Sequence, residues 1–392
     1  MLIGFLFFLI IGIIAGTITG LIPGIHINLI GALLIFLSTS IFINPIYSII
    51  FISSMAITHT FIDFIPSILL GCPDTDTELS ILPGHELLKN KKGFEAIYLS
   101  NLGSINAIFI LVIISIPSIF LIEKIYPFFQ NIIPYLLILI AIILILTEKN
   151  KIPALIVFLI TGFFGYGVSF IEFNQPLLPL LTGLFGASNL ILSIKNKTKI
   201  PEQEISKPKI KIKKPIFAAA LTAPFCSFLP SIGSGQAAVI ASTFTKINKK
   251  QFLVLLGTIN TLVMAFSFIT LYTIQKTRTG ASLAINELSS LLEFKHLILI
   301  LIVVIISGII AFYLTNILAE FFSKKIQKIN YTKISIITLT FLSIIVLSVS
   351  GIKGFLILIT STLIGIFSII QKVRRTNMMG VLIIPTIIWY LF

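Results

Sequence analysis

The chain has 392 residues, 57% of them hydrophobic and 11% charged, with 28 Lys and Arg against 14 Asp and Glu, a net charge of +14 and a mean hydropathy of +1.10. No water-soluble fold hides that much apolar surface, which excludes a soluble globular enzyme, a disordered chain and a collagen-like chain. The apolar runs are continuous and not alternating, which argues against an outer-membrane barrel; at about 20 residues per crossing they allow about eleven spans or half-spans.

Taken in chain order, the apolar runs lie near 1–22, 27–51, 97–122, 131–147, 153–172, 176–194, 216–229, 252–275, 296–319, 334–350, 353–371 and 379–392. The first, MLIGFLFFLIIGIIAG, has neither a basic flank nor a small-residue cleavage site and reads as a retained first helix. Runs 216–229 and 379–392 are short for a crossing and read as half-helices or tilted pieces. The fold expected is all-α: a polytopic integral membrane protein of about 10–12 transmembrane or half-spanning helices, in two related repeats with broken or re-entrant helices. Residues 1–194 form the first repeat, with an acidic segment near 58–90; residues 195–215 form a basic cytoplasmic linker; residues 216–392 form the second repeat.

The lysines sit in short tracts between apolar runs, as in the cytoplasmic loops of membrane proteins. The longest tract, Lys195 to Lys214, is relieved only by Glu202 and Glu204 and has no interleaved aromatic residues on which bases could stack, so no nucleic-acid partner is expected. Its partner is the membrane surface, and the chain reads as a multi-pass protein of the plasma membrane. Cys72 and Cys226 lie far apart with no C-x-x-C, which argues against a structural zinc site. No metal and no cofactor are expected.

Two features repeat. Pro23-Gly24-Ile25-His26-Ile27-Asn28 and Pro230-Ser231-Ile232-Gly233-Ser234-Gly235-Gln236 both break apolar runs, 207 residues apart (230 minus 23). Gly103-Ser104-Ile105-Asn106 matches Gly257-Thr258-Ile259-Asn260 at an offset of 154 (257 minus 103), each motif shortly after a lysine-bearing turn. In lipid the groups freed by a Pro/Gly break must be satisfied by protein or water, and paired broken helices of this kind form the midplane sites of secondary transporters. An ordinary kinked helix packed by small residues is the plainer reading of either break alone. Basic turns after both breaks point to parallel repeats; charge by itself leaves inverted ones open.

Between these marks lie Asp63, Asp74, Asp76 and Glu78, four of the chain's 14 acids within 16 residues. His59 and Asp63 are four apart and share a face if helical. Ionisable groups at membrane depth usually mark an ion or proton path, whereas Asp74 to Glu78 read as a helix cap or wet loop.

These residues resemble a known family. Gly16 to Gly24, as G-x-x-x-G-x-x-P-G, is similar to the first signature of the large membrane subunit of tripartite tricarboxylate transporters, the TctA type. The stretches Ile65-Pro66-Ser67-Ile68-Leu69-Leu70-Gly71-Cys72-Pro73 and Leu82-Pro83-Gly84-His85-Glu86 to Gly93 are similar to its I-S-S-I-L-L-N-x-P-G and L-D-G-Y-P-M-A-R-x-G-x-A segments. Leu229 to Gln236 is similar to its second signature, with Ser231 where glycine is usual and no counterpart of the A-P-E-A-A-N-N-A segment that follows. The resemblance implies a secondary carrier driven by an ion gradient. It also implies a small membrane subunit and an extracytoplasmic binding protein as partners, and leaves the solute open.

The function expected is therefore a permease for a small anionic organic solute such as a carboxylate, coupled to Na⁺ or H⁺. Pro23, Gly24, His26, Asn28, Pro230, Ser231, Gly233, Ser234, Gly235 and Gln236 would line the solute site, while His59 and Asp63 would take the cation. With three arginines in all (Arg278, Arg374 and Arg375), none at a break, a carboxylate would be held by helix ends and amides. The alternative is a lipid-linked phosphate carrier or flippase using the same helix ends. An intramembrane enzyme is disfavoured by the lack of G-x-S-x-G or H-E-x-x-H and by the spacing of His26, His59, His85 and His296. A structural scaffold would tolerate substitution at both breaks, and a second copy of the chain as a homodimer partner stays open.

Overall fold

The computed structural model describes residues 2–22, 44–70, 77, 81–196, 201–229, 232–277, 279–288, 292–326 and 331–392. Among them there is no strand, and 8 helices are long and apolar enough to cross a membrane. The protein is an all-α polytopic membrane protein.

Helix α1 (Leu2–Leu21) carries glycine at every fourth position, Gly12, Gly16 and Gly20, a stripe that lets two backbones approach closely in lipid. Helix α2 (Pro45–Ile62) fills it. A Cβ on Gly12 would lie 1.9 Å from Ser54 Oγ, on Gly16 2.4 Å from the Met55 carbonyl and on Gly20 2.8 Å from Ile62 Cβ. The partners advance together, so α1 and α2 run parallel. Asn44 caps α2 by accepting the Ile46 N–H at 3.0 Å, and Pro45 sits at the first turn, where a missing donor costs nothing. Pro66 has no N–H for the Ile62 carbonyl four residues back, so one backbone bond is lost, while Asp63 stays helical, donating to the His59 carbonyl and accepting the Ser67 N–H as the chain passes into α3 (Phe64–Leu70).

The short α4 (Ile81–Lys89) leads to α5 (Gly93–Leu146), which joins the expected runs 97–122 and 131–147 into one helix through Pro117, Pro127 and Pro134. At about 1.5 Å per residue its 54 residues exceed twice the thickness of a hydrocarbon core. Helices α6 (Lys151–Val168), α7 (Leu177–Leu181) and α8 (Ser188–Asn196) follow, the last two joined by a π-helical stretch, Thr182–Ala187. After the basic linker come α9 (Lys213–Phe228), α10 (Ser234–Phe244), α11 (Lys249–Ile274), α12 (Gly280–Leu288), α13 (Phe294–Lys325), α14 (Tyr331–Ile370) and α15 (Gly380–Leu391). In α14 the expected runs 334–350 and 353–371 meet at Gly351, whose φ of +63° suits glycine. A Cβ there would touch nothing within 4 Å, so conformation and not space demands the glycine.

The centre of the fold is the crossing of α5 and α11, where the two Gly-x-Ile-Asn motifs meet. A Cβ on Gly103 would lie 2.1 Å from the Val254 carbonyl, and one on Gly257 2.0 Å from the Ser100 carbonyl. The contact is reciprocal: Ser104 Oγ donates to the Gly257 carbonyl at 3.1 Å, and Thr258 Oγ1, which donates to the Val254 carbonyl of its own helix at 2.8 Å, shares that hydrogen with the Gly103 carbonyl at 3.1 Å. Toward the helix starts, Lys250 reaches the buried Glu95 at 2.5 Å. Residue i meets a residue near i+154 all along the contact, so the helices run parallel about a local two-fold, the geometry of an isologous interface. The spacing extends backward as well: α10 starts 153 residues after α4 (234 minus 81), and α9 ends 158 after α3 (228 minus 70).

One face collects the basic segments. The linker lies over the starts of α5 and α11: Gln203 Oε1 accepts the Gly93 N–H at 2.7 Å, the Glu204 N–H donates to the Lys91 carbonyl at 2.7 Å and Gln251 Nε2 to the Lys211 carbonyl at 2.8 Å. Gln203 thereby satisfies one of the orphan donors at the α5 N-terminus. Lys207 stands over the Tyr98 ring at 5.7 Å. On the flank, Gly162 and Gly165 of α6 receive Ile384 and Val381 of α15, and Arg374 pairs with Glu148 at 2.5 Å.

Because the crossing leaves no room for a side chain, Gly257→Val is expected to destabilise the folded protein by about 1–3 kcal/mol, the usual cost of overpacking. Thermal unfolding in detergent reads this, and an unchanged midpoint would refute the close contact.

Candidate functional site

Asn260 lies 11 residues after the start of α11 (260 minus 249). That is about 16 Å from the basic face, half of a roughly 30 Å core. Around this midplane position the polar groups of four elements converge. Asn260 Nδ2 donates to Asp63 Oδ2 at 3.1 Å and lies 3.4 Å from the Thr60 carbonyl; Ser234 Oγ donates to Asn260 Oδ1 at a long 3.5 Å. Thr60 Oγ1 and Thr261 Oγ1 are 3.3 Å apart, and His59 Nδ1 is 3.1 Å from Thr19 Oγ1 on α1. Below Asp63, Ser67 Oγ donates to the Asp63 carbonyl and meets Thr77 Oγ1, both at 2.6 Å. Asp63 is 4% exposed and His59 3%. In lipid such groups are held only where protein satisfies them.

The second part of the site is the start of α10. This helix has 11 residues, about 16 Å, and its C-terminal end is followed by the basic turn Lys246–Lys250, so it reaches only halfway across. Its first turn therefore faces the midplane with the positive end of the helix dipole. Gln236 Oε1 accepts the Gly233 N–H at 2.7 Å, and among the described residues Gln236 Nε2 has no hydrogen-bond partner although the residue is only 1% exposed. Leaving a buried donor unpaired costs about 1–3 kcal/mol, which makes this amide a candidate site group. Thr58 Oγ1, one position before His59, is likewise buried and has no partner among the described residues.

Of the residues expected from the sequence, the structure brings together Asp63 and Ser234 through Asn260, with Gly233, Gly235 and Gln236 beside Ser234 at the start of α10; His59 lies one turn before Asp63, accepts the Asp63 N–H at its carbonyl and pairs its ring with Thr19. Pro23, Gly24, His26, Asn28, Pro230 and Ser231 lie outside the described residues, as do Asp74, Asp76 and Glu78. Asn260, Thr60, Thr261 and Thr19 were not singled out as site residues by sequence reasoning. The available signal was Thr258, Asn260 and Thr261 in the middle of an apolar run, where polar side chains need a reason. A cavity of ≈ 1000 Å³ opens at the other end of α10, between Glu86, Phe244, Lys246, Lys249 and Phe252. It lies one half-helix away from Gln236, not on it. Among the described residues no three His, Cys, Asp or Glu gather as metal ligands.

Half-span helices and a buried midplane polar network define a polytopic helical membrane protein with an internal polar site. The family model described as Tripartite tricarboxylate transporter TctA family matches residues 6–380. The chain belongs to this transporter family. Uncharacterized protein MJ1079 of Methanocaldococcus jannaschii is 34% identical over 403 residues, spanning 98% of this chain and 99% of that protein. No solved structure matches.

Replacing Gln236 by Met keeps the volume, loses the bond to Gly233 and removes the unpaired donor. The two effects are each about 1 kcal/mol and opposed, so the solute-free protein should keep its unfolding midpoint within a few degrees. A loss above about 2 kcal/mol would show the amide to be structural.

Proposed function

We propose that the chain is the solute-carrying subunit of a secondary active transporter for a small organic anion of the carboxylate class, coupled to a cation at Asp63. The observation that carries this is the buried Gln236 Nε2, without a partner among the described residues, in the first turn of a half-span helix whose Ser234 reaches Asn260 and, through it, Asp63. Gln236 Nε2 and the start of α10, where the helix dipole is positive, supply the attraction for a carboxylate. His59, fixed by Thr19, sits one turn before Asp63 and shares the cation's surroundings. Pro23, Gly24, His26, Asn28, Pro230 and Ser231 are assigned to the same cavity on the sequence alone. The ≈ 1000 Å³ cavity serves as the vestibule from the basic face, which we take as cytoplasmic by the positive-inside rule.

The repeats, 1–194 and 216–392 with the linker 195–215 between, are read as parallel, because the helices that carry their shared motif run parallel. In that reading α4 and α10 are corresponding half-helices. Family membership supports a small membrane subunit and an extracytoplasmic binding protein as partners, and the plasma membrane as location. A homodimer is compatible with both. The reaction is movement of solute with no bond made or broken, so no catalytic residue is assigned.

Reconstituted in liposomes, the protein should accumulate a labelled tricarboxylate under an inward H⁺ or Na⁺ gradient. Gln236→Glu keeps the acceptor for Gly233 but sets a negative charge where the anion binds, and uptake should fall at least about tenfold, equivalent to 1.4 kcal/mol. Asp63→Asn should leave solute exchange but abolish accumulation against a gradient. Binding of phosphorylated lipid head groups with no uptake of soluble acids would favour the lipid-linked phosphate alternative.

A further inference from the structure

Two ion pairs join the halves of the chain on the basic face, and they differ in burial. Helix α11 caps itself with neutral groups: Asn248 Oδ1 accepts the Gln251 N–H at 2.9 Å, Gln251 Oε1 accepts the Asn248 N–H at 3.1 Å, and the first turn holds no acid. Lys249 and Lys250 follow at once, two cations at the positive end of a helix dipole, where anions are the favoured neighbours. The anions come from the first half of the chain. Glu95 of α5 reaches Lys250 and Glu86 of α4 reaches Lys249, both at 2.5 Å. The Glu95 side chain is 3% exposed, whereas those of Glu86 and Lys249 are 52% and 69% exposed.

Burial decides which pair can open. Removing the partner of a buried charge shifts a folding equilibrium by about a hundredfold or more, so Glu95 and Lys250 stay together. An exposed pair contributes about fivefold at most, and Glu86 is rehydrated as soon as it lets go. Glu86 and Lys249 also line the ≈ 1000 Å³ cavity, together with Ser242, Thr245, Lys246 and Asn248. Lys246 is exposed and has no ion pair among the described residues.

Resting on the transport reading above, we propose that this cavity is a second binding station for the anionic solute, in which a carboxylate of the solute takes the place of Glu86 on Lys249 while another meets Lys246. The swap exchanges one carboxylate–ammonium pair for another, so neither lysine is left uncovered. An uncharged solute cannot make it, because Lys249 then keeps Glu86; the station therefore selects for negative charge. Glu86 is the resident occupant that the solute displaces on arrival and that returns when the solute leaves. Helix α10, about 16 Å long, separates the station from Gln236, so a solute passing between the basic face and the midplane is held by positive character at both ends of that path.

The test reads occupancy of the cavity itself, in the full chain in detergent micelles with citrate as probe. Ser242→Cys, in a chain carrying Cys72→Ala and Cys226→Ala, puts a thiol in the cavity wall, and its alkylation by the uncharged N-ethylmaleimide is followed against added citrate. Citrate should slow the reaction saturably, and glycerol at the same concentration should not. Glu86→Gln should lower the half-protecting citrate concentration about two- to fivefold, whereas Lys249→Gln and Lys246→Gln should each raise it about two- to fivefold, the range of an exposed pair. Raising choline chloride from about 0.1 M to about 1 M, which shortens the Debye length from about 10 Å to about 3 Å, should raise it as well. The unfolding midpoint should fall for Glu95→Gln and hold for Glu86→Gln. A pair with a structural role alone would respond in one direction, or not at all, to loss of either partner; that result, an equal fall of both midpoints, or no protection by citrate overturns the station. If the cysteine-substituted chain does not fold, exchange of radiolabelled citrate in liposomes by the otherwise unaltered chain reads the same opposed shifts in half-saturating concentration. Exchange by the wild type without protection removes the station and leaves the carrier standing; protection with the opposed shifts but no exchange keeps the anion station and removes the carrier reading.

Discussion

Everything in the midplane site depends on two helices touching backbone to backbone. In a bilayer no water satisfies a stray polar group, and no hydrophobic gain draws one apolar helix to another. What brings α5 and α11 together is close packing at Gly103 and Gly257, reinforced by hydroxyls that each donate across to the other helix's carbonyl. Asn260 is three residues beyond Gly257, nearly one turn. The separation and rotation fixed at the glycines thus decide whether its amide reaches Asp63. Bulk at either glycine would push the helices apart and uncouple residues 197 positions apart in the chain.

Much of the architecture was legible in hydropathy because lipid imposes one rule on every span. Most of the expected runs became helices where they are described; the run 27–51 is described only from residue 44, and the span there starts at Pro45 and continues to Leu70, past the expected end. The Gly-x-Ile-Asn pair marked the central crossing. Local breaks were less legible. The gap between 122 and 131 contains Glu123, Lys124 and Pro127 and reads as a loop, yet α5 continues through it. A helix long enough to leave the hydrocarbon can keep charged residues outside it, and each proline forfeits a single backbone bond. The site divided in the same way. Asp63 and His59 stand out as ionisable residues in an apolar run, and Ser234 and Gln236 as polar residues at a break. Asn260 carried meaning only as a repeat mark, because its role depends on a partner far away in sequence.

The repeat is instructive about which break corresponds to which. Pro23 and Pro230 stand 207 residues apart, whereas the helices around the central crossing recur at about 154. At that spacing the counterpart of 229–233 is the stretch between α3 and α4, which holds Pro73. The parallel pair α1 and α2 then precedes the shared unit, and it supplies Thr19 and the Asp63 side of the network. One half contributes the carboxylate, the other the bridging amide and the half-helix start. Asn106 and Asn260 thus share a place in the Gly-x-Ile-Asn motif but not a partner: Asn106 bonds its own helix and Asn260 reaches Asp63.

The choice of neutral groups around one carboxylate follows from what a carrier must do. A guanidinium clamp would hold a carboxylate bidentately and strongly. Arg374, however, is engaged with Glu148 at the far end of α5, where Asn377 also donates to that carboxylate at 3.1 Å. At the midplane the positive character comes instead from the start of a half-helix and from amides, which carry no net charge to desolvate when the solute leaves. A buried fixed cation without its anion would be costly in hydrocarbon, whereas an unpaired amide such as that of Gln236 costs about 1–3 kcal/mol. On the proposed reading, a site built this way lets the protein stay folded when no solute is bound.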